Sequence, residues 1–354
     1  MLLAPVLAFA SLESGLRLAG YGHDLAARRA VRASQRVPGA EFGTGELNIT
    51  NEFCLWSLRP GAQPAPGEFV NAEGLRGPLV PDTRREGVAR VLVLGESALF
   101  GYRLPYADTL VGRLPALLAE HGVQAEVINA AVNGQTVWQG HARYVHELRG
   151  KQPDVVVAAF GTVNEHRVAE CSDEARLAEL RGAHGLLAST ARALRQHSRS
   201  VLLFESLCGS ESEVLSIDPD SEKPGYLRRV GSLEFPGLRR VSLESFRRGL
   251  TALTQAVTDD GIPLLLISMP RMPYAEEFAP VLEAYTEALT DVASALHVPV
   301  VPARERLAEA APDNESARAY FLPGDGFHPS ARGHRFVAEL LAEPLAEALQ
   351  QRGP

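Results

Sequence analysis

The sequence predicts an α/β protein built on a parallel sheet covered on both faces. Apolar runs rich in Val, Leu and Ile recur without in–out alternation, as strands buried on both faces require. Longer stretches with helical periodicity lie between them. From residue 88 onward the two kinds of segment alternate, the pattern of strand–helix–strand crossovers.

The first element is ambiguous. "MLLAPVLAFASLESGLRLAGYGH" opens apolar but lacks the basic residues that begin a signal peptide. The apolar run is too short to span a bilayer. Residues 1–36 therefore read as an amphipathic or core helix, or as a membrane-proximal leader. Residues 37–87 are rich in Pro and Gly, as in "GEFVNAEGLRGPLVPD", and read as an irregular extension of turns and short strands. Residues 88–350 form the main domain. "ARVLVLG" is its first strand, "TLVGRLPALLAEHG" its first helix, "AEVINA" the next strand and "TVWQGHARYVHELRG" the next helix. "DVVVAAF" is a third strand, followed by helical periodicity from Asp173 to His197. "SVLLFES" reads as a fourth strand. A helix opened by a Ser-x-x-Ser start at Ser242 and closed by Gly261 follows. "IPLLLIS" is a fifth strand, Tyr274 to Leu296 is helical, and "VPVV" is a short last strand. Cys208 to Val241 interrupts the alternation and reads as a surface insert, where substrate selectivity would reside.

Composition narrows the partners. The formal net charge is −8 over 354 residues, which gives no reason to expect nucleic acid. The basic stretch "LRRVGSLEFPGLRR" is interrupted by apolar and acidic residues and reads as solvated insert. Three widely spaced cysteines make no disulfide framework, and the ten histidines include no His-Glu-x-x-His spacing. No metal or organic cofactor is expected.

The polar residues gather at strand ends. Ligand sites in open parallel sheets lie beyond the carboxyl ends of the strands. Ser97 follows the first strand in "VLVLGESALFGYRL". Asn133 and Gly134 follow the second in "NAAVNGQT", and Gly161 and Asn164 the third in "FGTVNEH". Asp325 and His328, three apart in "PGDGFHPSARGH", come after the last strand, a spacing that puts both on one side of a helical turn. Each has an ordinary alternative: Ser97 as a helix cap, Gly134 as a turn glycine, Asn164 as a loop residue, Asp325 with His328 as a capping pair. Together they supply what acyl chemistry needs. A serine hydroxyl requires a nearby base, which His328 provides, and Asp325 can orient that imidazole. The Ser97 and Gly134 N–H groups and the Asn164 amide can donate to an oxyanion.

These four blocks, in this order, resemble the SGNH (GDSL-type) hydrolase family. "GESALFG" resembles its first block, "NAAVNGQT" its glycine block, "FGTVNEH" its asparagine block and "DGFHPS" its Asp-x-x-His-Pro block. The resemblance covers roughly Val88 to Gln350. It implies a flavodoxin-like three-layer α/β/α sandwich and hydrolysis of an ester of a small molecule, a lipid or an acylated carbohydrate. It makes Ser97 the nucleophile and first oxyanion donor, Gly134 and Asn164 the other donors, His328 the base and Asp325 its partner. "EGLRGP" and "ESGLRLAG" also resemble bacterial members with a membrane-proximal leader, which points to an extracytoplasmic or membrane-associated location. The departures are Glu96 and Glu165 where the family usually has Asp, Leu99 in place of its threonine, and one extra residue between Gly161 and Asn164. A carbohydrate O-acyltransferase on the same site is the alternative. A phosphate-binding loop would need a Lys and a second Gly that "GESALFG" lacks, and a non-catalytic binding module would not need all four groups. His141, His146, His166 and His334 read as surface or supporting residues, and Trp138 as a packing residue.

Overall fold

The computed structural model describes residues 3–19, 21, 47–169, 171–182, 198–200, 203 and 224–351. Helix α1 (Leu3–Leu18) comes first, then an antiparallel hairpin of β1 (Asn48–Asn51) and β2 (Leu55–Leu58). The main sheet contains β3 (Ala89–Gly95), β4 (Ala125–Asn129), β5 (Val155–Ala159), β6 (Leu264–Ile267) and β7 (Val300–Val301). All five are parallel, in the order β4-β3-β5-β6-β7. Counted within the sheet this is 2-1-3-4-5, the flavodoxin-like winding, whose switch point lies between the first and third strands. Here those strands are β3 and β5.

The helices are α2 (Ser97–Phe100), α3 (Leu110–Glu120), α4 (Val137–Arg143), α5 (Asp173–Gly182), α6 (Pro224–Val230) and α7 (Leu243–Asp259). They continue with α8 (Pro273–Phe278), α9 (Val281–Ala295), α10 (Ala303–Ala310), α11 (Asn314–Ala317) and α12 (Ala331–Gln351). Successive residues of a strand point to opposite faces. Val91 and Val93 of β3 pack with α3 and α12, while Leu92 and Leu94 pack with α4, α7 and α9. This two-sided burial is why the strands carry no polar alternation. Each such Val or Leu contributes roughly 1.5–3 kcal/mol. The hairpin is no loose appendage: Trp56 and Leu58 are buried in the same apolar cluster as Val91 and α3.

Helix ends follow local chemistry. The Ser242 side chain accepts the Ser245 N–H and starts α7, and the Thr109 side chain accepts the Gly112 N–H and starts α3. The helical stretch expected from Tyr274 to Leu296 is divided into α8 and α9 at Ala279–Pro280, since Pro lacks the N–H that a continuous helix needs. In α1 the Glu13 carboxylate accepts hydrogen bonds from the Arg199 and Ser200 N–H groups and the Ser198 and Ser200 hydroxyls. No described helix is long and apolar enough to cross a membrane.

Among the described residues, no strand appears at "SVLLFES". Most of it lies outside the described residues, but Ser200 and Leu203 are helical, and β5 pairs directly with β6. A short apolar run suits a buried helix as well as a strand. Of the predicted helical region Asp173–His197, residues 183–197 also lie outside the described part, as do residues 208–223 of the insert. The rest of the insert lies against the loop after β5. Arg240 N–H donates to the Arg167 carbonyl at 2.8 Å, and Val241 N–H to the Glu165 carbonyl at 3.1 Å.

Candidate active site

Ser97 sits where β3 ends and α2 begins. Glu96 holds the extended N-cap position (φ −102°), so Ser97 is the first helical residue and its hydroxyl does not cap the helix. The helix lasts one turn and stops at Gly101 in the left-handed region (φ 83°). Any side chain at Gly101 would also lie 2.2 Å from Thr109 Cγ2. This forced stop leaves the Ser97 hydroxyl at the sheet edge, with the residue 7% exposed.

His328 reaches that hydroxyl from the loop before α12. Its Nε2 lies 2.8 Å from Ser97 Oγ, and its Nδ1 lies 2.7 Å from Asp325 Oδ2. An ionised carboxylate can only accept, so Nδ1 carries the proton and Nε2 is left to accept from the serine. Asp325 Oδ1 accepts the backbone N–H groups of Phe327 and His328, both at 2.8 Å. The pair therefore occupies an Asx-type turn rather than the helical turn its spacing suggests, and the capping bonds and the bond to the imidazole coexist on one carboxylate. Burial would raise the Asp325 carboxyl, but its hydrogen bonds to the His328 ring and to the backbone outweigh it and hold the carboxyl below its ordinary value. Phe327, fully buried against Val163, Leu227 and Leu282, anchors the loop. The Tyr102 ring lies 4.7 Å from the imidazole at 41°.

Gly134 and Asn164 stand at the ends of β4 and β5, on the same sheet edge. Gly134 has φ 77°. Asn164 is buried, and its Nδ2 donates to the Glu96 carboxylate. An amide nitrogen carries two hydrogens, so this bond orients the group and leaves one hydrogen to give. Among the described residues, neither the Ser97 nor the Gly134 N–H has a backbone acceptor. All five residues singled out by the sequence thus lie at the same carboxyl edge, although the spacing in the asparagine block departs from the family's.

Beneath them lie two buried carboxyls that the sequence showed only as substitutions. Glu96 is raised by burial, against the opposing pull of Thr162, His328 and Arg167. Glu165 accepts the Val137 N–H at 3.2 Å. Burial first, and then the charge of Glu96, push Glu165 up to about 8. A carboxyl raised on folding favours the native state fully below its ordinary value, and that contribution is lost as pH climbs through the folded value. Glu165 therefore lowers stability progressively as pH rises from the ordinary 4.5 through about 8, against the opposite trend of buried histidines, and Glu165→Gln is expected to gain melting temperature relative to the wild type across that range. A difference that stays constant with pH would show that Glu165 is ionised in the native protein.

The histidines divide. His146 stacks on Phe53 at 4.7 Å, and the His141 ring stands edge-on to Trp138 at 6.2 Å. His166 and His334 are not surface residues: each is 1% exposed. Burial, and then neighbouring arginines, push His166 well below its ordinary value. Burial pushes His334 down to about 3, and its Nδ1 accepts the Leu110 N–H at 3.0 Å, tying α12 to α3. Trp138 packs on α7 and donates from Nε1 to the Ser245 hydroxyl at 2.9 Å. Sequence reasoning missed Trp56, Arg240 and Asp173, which surround the Gly134 loop from elsewhere in the chain. No local motif marks them.

A hydroxyl, an imidazole and a carboxylate in one hydrogen-bonded row, at the switch point of a doubly wound sheet, form the arrangement that serine hydrolases use. The chain belongs to the GDSL-like lipase/acylhydrolase family, whose profile matches residues 93–336, more than half of its length. A 72-residue stretch is 38% identical to an arylesterase from Vibrio mimicus, covering 20% of this chain and 36% of that relative. The chain thus spans about a third of the curated relative it matches. Among solved structures, a lipase/acylhydrolase from Enterococcus faecalis is 17% identical, with 73% of this chain and 96% of that one covered and a TM-score of 0.46. The acetyl xylan esterase AlAXEase is 15% identical, with 72% and 99% covered and a TM-score of 0.45.

Proposed function

We propose that the chain is a serine esterase that cleaves carboxylic esters through an acyl-enzyme. The observation that carries this reading is the continuous row Ser97 Oγ–His328 Nε2 at 2.8 Å and His328 Nδ1–Asp325 Oδ2 at 2.7 Å. Ser97 Oγ bonds to the ester carbonyl carbon while its proton passes to His328 Nε2. The carbonyl oxygen becomes an oxyanion, held by the Ser97 and Gly134 N–H groups and the free hydrogen of the Asn164 amide. The intermediate collapses, the alkoxide leaves with the proton from His328, and the acyl group stays on Ser97. Water then repeats the sequence from the other side, losing its proton to His328 and releasing the acid. Asp325, kept ionised by its hydrogen bonds, holds the imidazole in the needed tautomer and stabilises its charged form.

The substrate class we infer, supported by the site and by the arylesterase named above, is a small ester, with aryl esters the first to try. A panel of p-nitrophenyl esters of increasing acyl length, together with acetylated sugars, tests this beside Ser97→Ala. Short p-nitrophenyl esters are expected to turn over with a burst of one nitrophenol per chain, and Ser97→Ala to show neither burst nor turnover. Hydrolysis that survives in the variant would overturn the reading.

The role of Asn164 has its own test. Asn164→Ala is expected to lower kcat by about 10²–10³ with little change in KM, because the bond strengthens only as the oxyanion forms. A change in KM alone would make Asn164 a substrate-binding residue instead.

A further inference from the structure

The geometry points to Trp56, on the N-terminal hairpin, as the residue that aims the Gly134 N–H in the oxyanion hole, a role that rests on the serine-esterase reading above. Peptide units are planar, and in a trans unit the C=O and N–H point in opposite directions. The Asn133 carbonyl and the Gly134 N–H belong to one such unit, and no described peptide bond is cis. The Trp56 indole N–H donates to the Asn133 carbonyl at 3.1 Å. That bond fixes the rotation of the whole unit, and the Gly134 N–H faces away from the hairpin. Without it the unit could turn readily, because Gly134 has no Cβ to restrict it. A hydrogen bond to the carbonyl also polarises the unit and makes its N–H a stronger donor.

Trp56 is itself held on several sides. It is 2% exposed. Its own carbonyl accepts the Gln135 side-chain amide at 2.7 Å, and the neighbouring Cys54 carbonyl accepts Gln139 Nε2 at 3.1 Å. Hairpin and glycine loop therefore grip each other in both directions. On the far side of Gly134, Arg240 donates to the Gly134 carbonyl at 2.8 Å, while Asp173 holds the guanidinium at 2.6 Å. The peptide units before and after the glycine are both clamped by side chains from outside the loop. The hairpin belongs to the machinery that binds the transition state, although it precedes the region that matches the family.

Trp56→Phe keeps a buried ring and removes the N–H. With p-nitrophenyl acetate, kcat is expected to fall by about 10- to 100-fold, the loss that follows a misplacement of about 1 Å in a group serving the transition state. KM should stay within about twofold. Phenylboronic acid, whose tetrahedral adduct with Ser97 presents an anionic oxygen to the same hole, should bind more weakly by the same factor. A purely structural role would lower the melting temperature and leave boronate affinity unchanged. Replacing Trp56 by 3-benzothienylalanine, nearly the same shape without the N–H, gives the same readout should Trp56→Phe fail to fold. Wild-type kcat and boronate affinity in a folded variant of either kind would overturn the role of Trp56 and leave the esterase reading standing. Turnover that persists in Ser97→Ala would remove the esterase reading itself.

Discussion

Ser97→Ala is expected to lose all labelling by a fluorophosphonate probe and to lower kcat by roughly a millionfold, the scale on which removal of a serine nucleophile acts. The wild-type chain should take up one probe, on Ser97. Only a hydroxyl with a base within hydrogen-bond reach attacks phosphorus quickly, and His328 Nε2 lies 2.8 Å away. The substitution should spare the fold. Glu96, not Ser97, occupies the N-cap of α2, so no cap is lost. Labelling that persists in the variant would place the reactive group elsewhere.

Asp325→Asn is expected to lower kcat by about 10⁴ while leaving the loop in place. An Asn oxygen can still accept the Phe327 and His328 N–H groups that shape the turn. Its amide nitrogen, however, would donate to His328 Nδ1 and drive the proton to Nε2, the atom that must accept from Ser97. The pH dependence separates base from scaffold. In the wild type, kcat/KM should rise with pH as the imidazole loses its proton, since a protonated ring cannot take another. His328→Ala should abolish that rise together with nearly all activity. The buried His166 and His334 cannot imitate it, because both are held well below the ordinary histidine value. Asp325 is held below its own ordinary value, so it adds no second ionisation near neutrality. A His328→Ala enzyme with a wild-type profile would show that another base serves Ser97.

The strands flanking the switch point were readable from short apolar runs rich in β-branched residues that alternate with amphipathic helices. Val91–Leu94 and Val155–Ala159 are apolar on both faces, which suits a sheet covered on both sides. Ser97, Gly134 and Asn164 were readable because they follow such strands within a few residues, whereas Asp325 and His328, beyond α10 and α11, were readable from the spacing of their own block. "SVLLFES" lies mostly outside the described residues, and an apolar run of that length leaves strand and helix open. The support behind the site was hidden for a different reason. Trp56, Arg240 and Asp173 lie 79, 106 and 37 residues from the groups they hold: Gln135, Gly134 and Thr136. No periodicity or local motif encodes contacts at such separations. The burial of Glu96 and Glu165 was equally invisible, because a glutamate after a strand more often meets water.

The hydroxyl and the imidazole of the proposed pair stand 231 residues apart in the chain. The imidazole arrives just ahead of α12, the helix that covers one face of the sheet. A polypeptide growing from its N-terminus can form β3, the turn at Ser97 and the glycine loop long before the base exists. The proposed reactive centre therefore stays incomplete until residue 328 has been made and folded, and a chain shorter than that holds Ser97 without its base. In refolding, return of hydrolysis should trail the return of helical circular dichroism, because closing so long a loop comes after local structure.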